Sequence, residues 1–312
     1  MNVSRLGLTD LGKLSAILSL SIPQLQQLNS EKESHYGQFF KPKKNGKPRE
    51  INPPNPVLAG VQRRLKNYLQ EKLEWTDAIH GGIPKRSIVT NAKPHANKRM
   101  VANLDISNFF PSTRPVQIES ALQRAGCSHE VAELFAGLTT FRNGLPQGSA
   151  TSMILSNLVL EPLDSKYLRL CRRHSLTYTR YVDDITISGN IDLNPLRGAF
   201  IEIIENAGFE VQTNKVHIVP RSEPQIVTGL VVNDRLRPTS KFLSELKRAI
   251  RRCWNGPEEI AAAAAEEGLE PHEFLRRLHG QANHVRSVDR KLGRDIRALF
   301  TGIQGQQRRP PA

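Results

Sequence analysis

Two acidic sites in this 312-residue chain have the residue types and setting for metal-assisted phosphoryl transfer. Asp183 and Asp184 stand side by side in Tyr181-Val182-Asp183-Asp184, flanked by Tyr, Thr, Val and Ile on both sides. Asp105 closes an alternating run that starts at Arg99. Joining a nucleotide to a 3′ hydroxyl calls for two divalent ions about 3.5 to 4 Å apart. One ion activates the hydroxyl and the other neutralises the departing pyrophosphate. Mg²⁺ takes hard oxygen ligands and keeps several waters, so two or three carboxylates and the nucleotide's own phosphates are enough; Mn²⁺ suits the same oxygens. Neighbouring acids on a strand face opposite sides, but a tight turn lets both approach one site. By itself an Asp-Asp in a turn is more often a solvated loop than a metal site.

Seventy-eight residues separate Asp105 from Asp183, so only tertiary structure can unite them. Residues 176–188 form the clearest hairpin pattern in the chain, and residues 99–106 read as a strand. Around them, residues 6–28 carry apolar positions at helical spacing, and Pro, Gly and Asn within 41–49 mark a basic hairpin. Val61, Leu65, Leu69 and Leu73 make one stripe of a helix over 57–73. The Gly- and Pro-broken stretch 80–97 reads as loop and short strand. Two helices are expected over 116–138, one long helix over 150–173 and another over 196–207. Strands follow near 215–220 and 225–232, with helices from 237 to about 302. The pattern is α+β, with helices over an antiparallel sheet and a small helical lobe after it. The polar, Pro-rich stretch 304–312 reads as a disordered tail.

Lys and Arg outnumber Asp and Glu by 44 to 30, a net charge of +14, which favours an acidic polymer as partner, with a membrane surface second. No apolar run is long enough to cross a bilayer and no signal peptide is evident. Cys127, Cys171 and Cys253 are too scattered for a disulfide framework or a zinc pair. These features suggest a cytoplasmic protein with no membrane partner.

The order of segments resembles that of reverse transcriptases. Residues 181–184 (YVDD) are similar to the family's catalytic hairpin, and residues 103–112 (NLDISNFFPS) to the box that supplies the first aspartate. Residues 143–157 (NGLPQGSATSMILSN) resemble the loop and helix that support the templating base pair. Residues 46–51 (GKPREI) are similar to the fingers motif that grips the triphosphate, and 208–215 (GFEVQTNK) to a palm motif ending in a lysine. Within the family, two segments resemble the bacterial retron enzymes: 91–95 (NAKPH) and 227–229 (VTG). The stretch 278–288 is similar to the retron thumb. Ser107 and Asn108 depart from the acids that many retron enzymes carry there, with no expected ligand lost.

The resemblance implies a right-hand polymerase: an N-terminal helical extension (1–35), fingers and palm (36–235), a thumb (236–303) and the tail (304–312). Asp105, Asp183 and Asp184 would be catalytic, and with Ile106 would hold two Mg²⁺ ions. Arg49, Phe110, Gln147 and Lys215 would meet the incoming nucleotide. Arg49 offers a planar fork and Lys215 a point charge. A bulky Phe110 would leave no room for a ribose 2′-hydroxyl, with one of the two consecutive phenylalanines serving the core. Asn91, His95, Val227, Thr228 and Gly229 would serve recognition of a cognate RNA. Arg248, Arg251 and Arg252, with Lys241 and Lys247, recur at helical steps suited to a phosphate backbone.

The partners implied are deoxynucleotides, a structured noncoding RNA with its branched DNA product, and a separate effector protein in an anti-phage system. Another bacterial reverse transcriptase, of group II intron or phage-exclusion type, is the enzymatic alternative. An RNA-binding scaffold that restrains an effector is the non-enzymatic one.

Overall fold

The computed structural model describes residues 6–42, 46, 48–212, 214 and 216–300. Helices α1 (Leu11–Leu18) and α2 (Ile22–Ser30) open the chain, with the Asp10 and Ser21 side chains accepting from the Lys13 and Gln24 amides. Strands β1 (Phe39–Pro42) and β2 (Pro48–Ile51) form the expected antiparallel hairpin, Phe39 opposite Ile51. Asn55 caps α3 (Pro56–Lys72), which buries Val61, Leu65 and Leu69. Leu73, the fourth residue of that stripe, is buried just past the helix end.

Residues 80–97 differ from the loop and short strand expected of them. They contain α4 (Ile88–Ala92) and a 3₁₀ turn at Lys93–His95. One turn of helix is too short to show a period, and it is the burial of Asn91, Ala92 and His95 that makes it helical. Next come β3 (Met100–Asp105), α5 (Phe109–Ser112), α6 (Pro115–Arg124) and α7 (His129–Thr139). The single helix expected over 150–173 is in fact two, α8 (Ser152–Val159) and α9 (Glu161–Arg173). Pro162 has no amide hydrogen to bond back into α8, and its fixed φ suits the first turn of a new helix. Strands β4 (Thr177–Tyr181) and β5 (Asp184–Gly189) and helix α10 (Arg197–Glu205) follow. The chain continues through β6 (His217–Pro220), β7 (Ile226–Val227), β8 (Leu230–Val231) and β9 (Arg237–Pro238). Helices α11 (Ser240–Arg252), α12 (Pro257–Glu266), α13 (Pro271–Val288) and α14 (Arg290–Ala298) complete it.

The chain divides into two compact units. The first runs to Ser87 and resumes over Arg99–Val219. Its centre is a four-stranded sheet in the order β4-β5-β3-β6, antiparallel where β5 meets β4 and β3. Helix α9 lies against β4, and Tyr167, Phe135 and Phe200 are fully buried in this unit's core. The second unit comprises Ile88–Lys98 and the chain from Pro220 onward. A small antiparallel sheet, β7-β8-β9, accompanies α11–α14, whose core contains Leu246, Ile250, Phe274, Leu278 and Ile296. The helical lobe therefore starts before residue 236 and takes in residues 88–98, which the sequence reading assigned to fingers and palm. Residues 304–312 lie outside the described part. Among the described residues no helix is long and apolar enough to cross a membrane.

Candidate active site

Strand pairing brings the distant acids together. In the β3–β5 register Asp105 stands directly opposite Asp184, and Tyr181 faces Asp184 from β4. Directly paired residues project from the same face with Cβ atoms about 5 Å apart. Val182 and Asp183 make the two-residue turn between the strands. Burial alternates along the end of β3: Leu104 and Ile106 face the core, whereas Asp105 is half-buried and Asp184 exposed.

Ile106 bridges to Val211 through bonds made by its neighbours. Gln212 N donates to Asp105 O at 3.0 Å and Ser107 N to Glu210 O at 2.8 Å. Backbone groups alternate direction along a strand, so the Ile106 carbonyl points the opposite way, toward the hairpin turn that carries Asp183. Among the described residues no three His, Cys, Asp or Glu side chains are grouped so that they could hold an ion by themselves. An open arrangement of paired carboxylates beside a carbonyl fits Mg²⁺, which fills its shell with waters and substrate phosphates.

Within the same unit lies a cavity of about 340 Å³ lined by Arg49, Glu50, Asn108, Arg142 and Gln147, among others. Two elements join to make it. Asn52 N, just past β2, donates to Gln147 O at 2.7 Å, and Ser152 Oγ donates to Pro146 O at 2.6 Å. Leu145 N donates to Phe110 O at 2.9 Å, tying this loop to α5. Gly144 has no room for a Cβ, which would lie 2.4 Å from Pro111 O. Gly148 has φ +115°, open to glycine without strain. Arg49 and Gln147 thus share one cavity. Phe109 takes the core position and Phe110 is half-buried.

Arg142 is a cation that sequence reading passed over. It lines the same cavity, donates to Glu50 Oε1 at 3.1 Å and lies over the Phe141 ring. Its signal was the Arg-Asn-Gly turn just before the loop: Arg142 and Asn143 both have left-handed φ, 47° and 64°. Lys215 lies outside the described residues.

The segments expected to read RNA meet within the second unit. Thr228 Oγ1 donates to Ile88 O at 3.1 Å, Asn91 Nδ2 to Thr228 Oγ1 at 3.5 Å, and Asn97 N to Val232 O at 3.0 Å. Asn91, His95 and Val227 are fully buried, which suits a part in shaping an RNA-binding loop better than direct contact through their side chains. They brace a turn whose accessible residues are Thr228 and Gly229, both with positive φ. The expectation for Arg252 is corrected. It pairs with Glu259 and bonds Glu266 through both terminal nitrogens, at 2.7 and 2.8 Å, and so braces α11 against α12. Arg248 and Arg251 are exposed.

A further basic groove of about 770 Å³, lined by Asn283, Arg286, Ser287, Arg290 and Arg294, runs along α13 and α14. Gly293 permits that close crossing, since a Cβ there would meet the Arg286 backbone at 2.3 Å.

Residues 41–237 match the family described as reverse transcriptase (RNA-dependent DNA polymerase). The chain is 34% identical to the retron Mx65 reverse transcriptase of Myxococcus xanthus, covering 82% of this chain and 66% of that protein. Against the retron Mx162 reverse transcriptase of the same organism it is 29% identical, covering 96% and 68%. The retron Se72 reverse transcriptase of Salmonella heidelberg is 31% identical, with 94% and 79% covered. The chain thus spans about two thirds of the length of both Myxococcus relatives. A telomerase structure from Candida tropicalis aligns with a TM-score of 0.50 at 12% identity, covering 67% of this chain and 55% of that one, a likeness of fold alone.

Proposed function

The chain belongs to the reverse transcriptases of the retron type, and from that premise we propose that it copies its own structured noncoding RNA into DNA. Its fold is the right-hand polymerase, with an antiparallel palm sheet. Synthesis would begin at a 2′-hydroxyl of the RNA and give a branched, RNA-linked single-stranded DNA. The observation that carries this reading is the pairing of Asp105 with Asp184 beside a turn occupied by Asp183.

In this reading Asp105, Asp183, Asp184 and the Ile106 carbonyl hold two Mg²⁺ ions, and Mn²⁺ suits the same oxygens. Bound there, the ions lower the pKa of the attacking hydroxyl and neutralise the pyrophosphate. Arg49 and Gln147 orient the nucleotide in the cavity they share, Arg49 by forking onto phosphate oxygens. Lys215 is proposed to meet the same phosphates. The half-buried Phe110 restricts the sugar to a deoxyribose.

RNA is held in the second unit by phosphate contacts to exposed cations: Arg248 and Arg251 on α11, and Arg286, Arg290 and Arg294 on α13–α14. Thr228 and Gly229 lie within reach of a partner, with Asn91, His95 and Val227 fixing their shape from below. The ribonucleoprotein would pair with a separate effector protein in anti-phage defence.

Sequencing the nucleic acid that copurifies with the protein tests this function. The expected result is a covalent RNA–DNA hybrid, absent from Asp183→Asn and Asp184→Asn preparations. RNA without DNA in the wild-type preparation would point instead to a scaffold.

A further inference from the structure

Beneath the turn that carries Asp183 lies a buried polar cluster that none of the steps above uses. Val182 has a φ of 60°, in the left-handed region, where a β-branched residue is a genuine outlier. Such a conformation persists only where the surroundings over-determine it.

Two contacts hold it here. The first is Arg180, whose Nη1 donates to the Val182 carbonyl at 2.8 Å and to Asn157 Oδ1 at 2.9 Å. The remainder of its guanidinium is gripped by Asp164, Nε to Oδ1 and Nη2 to Oδ2, both at 2.7 Å. Tyr178 donates to Asp164 Oδ1 at 2.6 Å and stacks on Tyr167. The second contact is Gly81, against which the turn is pressed. A Cβ there would lie 2.5 Å from Val182 Cγ2 and 2.6 Å from its nitrogen. Asn157 Nδ2 closes the loop by donating to Gly81 O at 2.8 Å. Arg180, Asp164 and Asn157 have no exposed surface at all.

Stability alone is a poor reason for this arrangement, because a buried ion pair can often be replaced by apolar residues at no cost. What an apolar side chain cannot do is aim several donors at once, as a planar guanidinium does. We propose that Arg180 is the positioning residue of the catalytic turn. It grips the Val182 carbonyl and so sets where Asp183 and Asp184 point, with Asn157 on α8 and Asp164 on α9 as its anchors. This rests on the reading of those two acids as the ion-holding residues.

The test compares wild type with the paired replacement Arg180→Met/Asp164→Leu and with the milder Asn157→Ala, each also made in a Val182→Gly background. Three quantities are read: Mn²⁺ affinity by direct titration, hydrogen exchange at residues 181–185, and kcat and KM for deoxynucleotide on a primed RNA template. Displacing reacting groups by about 1 Å costs about 100-fold, so kcat should fall on that scale in the paired variant while the unfolding midpoint is kept. KM for the nucleotide should stay within about threefold, since the nucleotide cavity is untouched. Mn²⁺ affinity should weaken and exchange at the turn should speed up, Asn157→Ala moving both less far in the same direction. Glycine adopts left-handed φ without strain, so the Val182→Gly background should shrink each loss, a coupling that a merely structural pair would not show.

The proposal is overturned if the paired variant keeps wild-type Mn²⁺ affinity and exchange, or if the Val182→Gly background leaves its losses unchanged. Should the paired variant not fold, Asn157→Ala carries the same comparisons. A wild type without polymerase activity would refute the catalytic reading instead, and the Mn²⁺ and exchange measurements would still decide the role of Arg180.

Discussion

The palm hairpin and the C-terminal lobe both rely on charge, in opposite ways. Under the hairpin one cation, Arg180, is wholly buried, with its guanidinium aimed at fixed acceptors: a carboxylate, an amide oxygen and a backbone carbonyl. In the lobe, Arg286, Arg290 and Arg294 line an open groove, and Arg248 and Arg251 stand in solvent. A buried charge is costly unless its partners are fixed, so it serves geometry. An exposed charge is cheap and adaptable, which suits a phosphate chain bound by counterion release. Arg252 marks the boundary between these uses: it lies one helical turn from Arg248 on α11, yet Glu259 and Glu266 commit it to holding two helices together.

The largest effect expected is the loss of the acids themselves. Asp183→Asn or Asp184→Asn should lower DNA synthesis by about 1000-fold or more, measured as nucleotide incorporation, with RNA binding retained. Loss of RNA binding in these variants would mean that the hairpin and the lobe are not separable in this way. Next comes Gly81→Ala, whose methyl would be driven into the Val182 backbone. Incorporation should fall about 100-fold, again at unchanged RNA affinity, if placement of the turn is what matters. Phe110→Ala should erode discrimination against ribonucleotides by about tenfold or more in relative kcat/KM. Unchanged discrimination would remove Phe110 from its proposed role.

The lobe should respond in smaller, graded steps. Arg286→Ala, Arg290→Ala and Arg294→Ala should each weaken RNA binding and reduce the slope of log affinity against log salt by about 1. Arg252→Ala should leave that slope alone and lower the thermal midpoint. The smallest effect concerns pH. Burial, with Arg86 nearby, lowers the His80 pKa from 6.5 to about 4. The unfolded chain therefore binds the extra proton first: the contribution is complete above the unfolded value and is lost as pH falls toward the folded one. Unfolding midpoints compared at neutral and mildly acid pH should drop less in His80→Gln than in wild type.

Much of the first unit could be read from residue patterns. The stripe on α3, the β4–β5 hairpin and the strand ending at Asp105 all follow local periodicity, which is a property of neighbouring residues. The fingers hairpin followed from its Pro, Gly and Asn. Local patterns were silent on α4, a single turn fixed by burial, and misread residues 150–173, where a helical period continues across Pro162 even though the backbone cannot. The cations of α11 showed the same limit. Spacing put Arg252 on a face with Arg248, but a glutamate from the next helix can be seen only after folding.

The carboxylates bring out the same division most sharply. Sequence by itself determined that Asp105 ends a strand and that Asp183 and Asp184 stand at a tight turn, because residue type and alternation decide both. Only tertiary structure decided that Asp105 faces Asp184, since strand register is set by contacts 79 residues apart along the chain. It also decided that Val182 is held in a left-handed turn from beneath by a guanidinium gripped from two helices. No local propensity favours that conformation for valine, so the packed surroundings must supply the difference.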